Sequence, residues 1–171
     1  MNQETLQHFV QLFTLDDAAA TQRVSARLAL VLQNPAAYHA QFAEELAERG
    51  IVVALPEPEL RAVALIDALL AEELVWESDW QDPAADLVYG LNETLTQQRR
   101  AMRVSEPAPG RTAVTGPDAL DILQDLLEPL GLALVLLTLD ADSYALTVVA
   151  DAQAEETRQL ARELGVDVTV Y

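Results

Sequence analysis

Cysteine and lysine are both missing from this 171-residue chain. Without cysteine there is no disulfide framework, no thiolate nucleophile and no thiolate ligand for zinc. Without lysine there is no Schiff-base chemistry and no phosphate loop of the Gly-x-x-x-x-Gly-Lys type. Glycine is scarce and scattered, and neither Gly-x-Gly-x-x-Gly nor the Gly-x-Ser-x-Gly elbow occurs. Aromatic residues make up only 5%, so the core must be built from Leu, Val and Ala. Long apolar runs are lacking too. The longest uncharged one, Leu130 to Leu139, is about half of the ~20 residues that span a bilayer, so no membrane role is implied. Met1 to Gln11 has no basic and then apolar segment of the secretory kind. The reading is a cytoplasmic protein.

Positive charge is the remaining shortage. All ten basic residues are arginine, set against 28 acids for a net charge of −18. Direct nucleic-acid binding is disfavoured, because phosphate contacts need a basic face. A hydrophobic content of 51% excludes a disordered acidic tail. The length suits one domain.

Periodicity supplies the architecture. Leu6, Phe9, Val10 and Phe13 share one face of a first helix over Gln3 to Leu15. A second helix is predicted over Ala18 to Gln33. Asn34-Pro35 reads as N-cap and first turn of a third, which ends at Gly50. Ile51 to Leu55 is a strand or an extended connector, and Pro58 to Glu73 a fourth helix with a wide apolar stripe. Leu74 to Trp80 then alternates like a strand, with Trp76, Ser78 and Trp80 on one side and Glu77 and Asp79 on the other. Asp82-Pro83 caps a fifth helix by the logic of Asn34-Pro35. Pro107, Pro109, Gly110 and Gly116 mark 105–116 as a loop between a helix-rich lobe (1–104) and a second lobe (117–171).

That second lobe reads as α-β-β-α-β. Pro117 to Leu130 is amphipathic, Leu132 to Leu137 is an aliphatic strand buried on both faces, and Asp140-Ala-Asp-Ser turns the chain into a strand over Tyr144 to Ala150. A helix over Ala152 to Leu164 precedes an alternating strand, Val166 to Val170. The intervening helix favours a parallel crossover. The fold class is therefore α+β, a helix-rich N-terminal portion packed on a small mixed sheet.

Few residues invite chemistry. His8 and His39 lie off the apolar stripes of their helices, without metal-ligand spacing, and read as solvated. Asp140-x-Asp142 lacks the glycine and distal glutamate of a calcium loop and reads as a turn. No catalytic set, metal site or cofactor is implied. Arg99, Arg100 and Arg103, with Arg111 beyond, form the one basic cluster; it complements a helix C-terminus or binds an anion. The most unusual feature is Trp76-Glu77-Ser78-Asp79-Trp80, followed by Asp82 and Asp86. Tryptophan is enriched at binding hot spots, and paired carboxylates hold an arginine or lysine of a partner. Packing of both tryptophans into the core, with the acids facing water, is the plainer account.

Two stretches, Leu65-Ile-Asp-Ala-Leu through Trp76-Glu-Ser-Asp-Trp80 and Leu139-Asp-Ala-Asp-Ser-Tyr-Ala-Leu-Thr-Val-Val149, resemble an uncharacterised bacterial family of small acidic proteins. The resemblance implies a fold and a bacterial source, and no activity. Three readings of function stand. One is a non-enzymatic protein whose surface at Trp76, Glu77, Asp79, Trp80, Asp82 and Asp86 binds a basic protein, as an immunity-type inhibitor or nucleic-acid mimic does. Another is a carboxylate enzyme, with or without a divalent cation. The third is a structural or homo-oligomeric protein, with Val166 to Val170 as a pairing edge.

Overall fold

The computed structural model describes residues 2–137 and 142–171. Short polar caps start the early helices. Asn2 Oδ1 accepts from Glu4 N–H ahead of α1 (Gln3–Thr14), and Asp17 Oδ1 accepts from Ala20 N–H ahead of α2 (Ala18–Gln33). Asn34 Oδ1 accepts from Ala37 N–H, with Pro35 opening α3 (Pro35–Gln41). The single third helix expected as far as Gly50 is broken at Phe42 (φ −107°), and α4 (Ala43–Glu48) follows. At the break the Phe42 ring stacks on Tyr38 and lies under the Arg27 guanidinium, 4.0 Å from the ring centroid. Gly50 then closes α4 at φ +79°. Its N–H bonds Ala47 O and that of Ile51 bonds Leu46 O, the paired geometry that only a left-handed residue allows cheaply. Residues 51–56 run on without strand pairing into α5 (Glu57–Leu70).

A four-stranded sheet organises everything else. Its strands are β1 (Trp76–Asp79), β2 (Leu132–Leu137), β3 (Ser143–Ala150) and β4 (Thr169–Val170), in the order β1-β3-β2-β4. Every ladder is antiparallel. β3 and β4 do run in one direction, as their connecting helix α8 (Ala154–Leu164) requires, but β2 lies between them, so the sheet expected to be mixed contains no parallel pair among the described residues.

Both faces of the sheet are covered. Ala133, Val135, Leu137, Ala145 and Val149 pack against α1, α2, α5 and α8; Leu132, Leu134, Leu146 and Val148 pack against α6 (Ala84–Gln97) and α7 (Pro117–Leu127). Alternate side chains of β2 and β3 thus feed two separate apolar clusters. Each cluster draws residues from both sides of 105–116, so that loop does not divide the two cores. Hydrogen bonds tie the segment around the loop to α6. Asn92 on α6 bonds both the N–H and the C=O of Val104, and the carbonyls of Val114 and Thr112 accept the first α6 amides, Ala84 and Ala85. Asp82, expected to cap α6, turns back instead, and its Oδ2 accepts from Asp79 N–H at 2.9 Å. No helix among the described residues is long and apolar enough to cross a membrane.

Candidate functional site

The six residues singled out in the sequence lie along β1 and the start of α6, but they do not form one acidic face. Pairing of Trp76 with Leu146 and of Glu77 with Ala145 sends their side chains to opposite sides of the sheet. Glu77 meets Arg49, at 2.9 Å between Oε1 and Nη1. It ends an alternating chain of charges, Glu45–Arg27–Asp67–Arg49–Glu77, that ties α2, α4, α5 and β1 together. Asp67 is its centre, with a side chain only 7% exposed. Burial holds its carboxyl above the ordinary aspartate range, although hydrogen bonding from Arg49 works the other way. Burial also opposes the charge of Arg49, but the hydrogen bonds it donates to Glu77 and Asp67 outweigh it and hold the group above its usual value.

Asp79 and Asp82 form a turn at the end of β1. Asp79 Oδ1 accepts from Gln81 N–H, and Asp82 N–H bonds Asp79 O. Asp86 stands exposed in the first turn of α6. The four carboxylates are therefore spread over a sheet face, a turn and a helix.

The tryptophans separate as well. Trp76 is half-buried and sits on the α6 backbone at Gly90, where an added Cβ would lie 2.2 Å from its ring. Its ring meets Tyr89 edge to face, with centroids 5.8 Å apart. Trp80 is 38% exposed and Tyr89 59%. Trp80 is held through its backbone, its N–H bonding Asp142 O and its C=O accepting from Gly116 N–H. Tyr89 was not singled out in the sequence, nor was Glu93, exposed one helical turn beyond it. With Asp86 three residues before, these side chains share the outer face of α6. Asp82, Asp86 and Glu93 form no ion pair among the described residues, in contrast to Glu77.

Elsewhere, His8 bonds Glu156 Oε1 across α1 and α8 at 2.9 Å. His39, read as solvated, is half-buried, and its Nε2 is buried without a partner. Asp140 lies outside the described residues, so the Asp140-x-Asp142 turn is not described. Among the described residues no three His, Asp or Glu side chains are grouped to hold a metal ion. A groove of about 660 Å³ between α1 and α2 is lined by Gln7, Gln11, Ser25 and Ala26 among others, and by none of the six residues above.

Residues 5–171 match the model of a family described as a domain of unknown function, DUF6630, and the chain belongs to that family. This agrees with the resemblance to an uncharacterised family carried by its sequence. No curated protein and no solved structure matches it.

Proposed function

We propose that this member of the DUF6630 family is a non-enzymatic interaction protein that binds a basic protein through the surface of β1 and α6. One observation carries the reading. Trp80 and Tyr89 are both exposed on this unit, as are Asp86 and Glu93, and Asp82, Asp86 and Glu93 form no ion pair among the described residues. An aromatic anchor with unpaired carboxylates around it suits an arginine- or lysine-bearing partner. The spread of Glu77, Asp79, Asp82 and Asp86 over three surfaces supports this reading over a carboxylate enzyme, whose acids would converge on one substrate. The overall charge of −18 adds long-range attraction for a cationic partner.

The test is capture from the native host at low salt, followed by kinetics on the protein retained. The double variant Asp86→Asn/Glu93→Gln should slow association and mimic added salt, and Tyr89→Ala should speed dissociation. Both sites are exposed, so the fold has no reason to fail. Failure to retain any basic protein, or equal retention by all three chains, would overturn the reading.

A further inference from the structure

Seven of the ten arginines are ion-paired: Arg23, Arg27, Arg49, Arg61, Arg111, Arg158 and Arg162. The three that form no ion pair among the described residues are Arg99, Arg100 and Arg103, in the segment that follows α6. In a chain with almost three acids per arginine this is unexpected, and the surroundings of Arg100 make it specific.

Gln98 prepares the position. It is buried, and its Nε2 donates to Phe13 O at 3.1 Å and to Val148 O at 3.2 Å. Val148 lies on the β3 edge two residues past Leu146, where the pairing with β1 stops, so Gln98 occupies an edge that β1 leaves open. With its Nε2 turned to these two carbonyls, its Oε1 faces Arg100 and accepts from Arg100 Nε–H at 2.7 Å. The guanidinium is thereby fixed at the seam of α1, β3 and α6. Its Nη2 is buried and has no acceptor among the described residues.

Capping of helix ends does not account for this group. In the last turn of α6, Thr94 O, Thr96 O and Leu95 O already accept from the amides of Gln98, Arg99 and Arg100. In α1, Gln11 O and Thr14 O accept from Leu15 and Asp17, and Phe13 O from Gln98. Among the described residues no carboxylate pairs with it to offset the loss of water, and burial lowers the pKa of Arg100. A half-buried cation whose one buried donor is unused is costly unless something completes it.

We propose that Arg100, oriented by Gln98, anchors an oxyanion-binding site at the end of α6, with exposed Arg103 as a second cationic group. The planar guanidinium offers parallel N–H donors to a phosphate or carboxylate group. The site is independent of the β1–α6 surface, since it involves none of those residues and takes the opposite charge.

The test is a titration of the full chain, followed through the arginine Nε–H resonances at constant ionic strength set by chloride. Inorganic phosphate is one arm and acetate the other. A saturable shift confined to the Arg100 resonance supports the site, and the arm that produces it at lower concentration identifies the oxyanion class. Arg100→Lys keeps the charge but loses the fork, and should weaken binding by roughly tenfold. Exposed Arg103→Ala should weaken it less while leaving the fold intact. No saturable shift in either arm of the wild-type titration overturns the proposal, whatever the variants do.

Discussion

Arg49 donates from Nε to Asp67 Oδ1 at 2.6 Å, joining the end of α4 to the last turn of α5 across 18 residues of sequence. Replacing Arg49 with Gln leaves Asp67 buried with only Arg27, 3.5 Å from its Oδ2. The expected loss in chemical denaturation is roughly 3 kcal/mol, the lower end for removing one member of a buried pair. The pair is not fully sealed, with Arg49 22% exposed. A loss of a few tenths would mean that the chain of charges is incidental to stability.

The same pair gives a pH signature. Burial raises the Asp67 carboxyl above 3.8, its ordinary value. The folded chain therefore binds a proton there more readily than the unfolded one. Linkage makes this group's contribution to stability increase as pH falls through the raised value towards 3.8, and decrease as pH rises. In Asp67→Asn that contribution is absent. The difference between wild type and Asp67→Asn should thus move in favour of wild type between pH 7 and pH 4, a range chosen to bracket about one titration of a raised carboxyl. Movement the other way would mean that the two arginines outweigh burial.

Gly90 is required by Trp76. Alanine at a helix interior is ordinarily better than glycine by about 1 kcal/mol. Here its Cβ would fall within the indole, 2.2 Å from Cγ. Displacing the ring costs typically 1–3 kcal/mol, so Gly90→Ala should destabilise the protein despite its helix propensity. Tryptophan fluorescence should shift as Trp76 leaves its seat. A stabilised variant with an unchanged spectrum would refute the close packing.

Local rules served where the interaction is local. The Asn34-Pro35 start, the close at Gly50 and the aliphatic run Leu132 to Leu137 are each legible from a few adjacent residues, because caps, left-handed closures and buried strands are short-range devices. The Asp82-Pro83 reading failed by the same logic. Asp82 found Asp79 N–H three residues back, while carbonyls some 30 residues on took the α6 amides. Alternation correctly put Trp76 and Glu77 on opposite sides, yet gave no hint that Arg49 waits for Glu77. Tyr89 carries no pattern of its own. It matters because Gly90 beside it admits Trp76.

Asn92 holds the start of the long loop. Its side chain satisfies both backbone groups of Val104, at 2.8 and 3.0 Å, in a buried setting. Asn92→Ala leaves a buried donor and acceptor unmet, at about 1–3 kcal/mol for each such group. Amide exchange at Val104 should accelerate together with a fall in global stability. Exchange that stays slow would show that other contacts hold this segment.

Strand β4 bears on self-association. It is two residues long, and its inward groups pair with β2, with Tyr171 N–H bonding Leu134 O. The outward carbonyl of Val170 is occupied, because Arg158 Nη2 donates to it at 2.8 Å. A covered edge resists pairing with a second copy, and Asp167 nearby adds like-charge repulsion across a two-fold contact. Arg158→Ala removes the cover and one ion pair with Glu155, an exposed pair that contributes little to folding. Wild-type chain should therefore sediment as a monomer at about 50 µM, a level at which ordinary dimers form, and Arg158→Ala should show measurable self-association there that high salt strengthens by screening Asp167. If wild type and variant sediment alike as dimers, the interface lies elsewhere. If both remain monomeric at low and high salt, the strand is too short to pair even when uncovered.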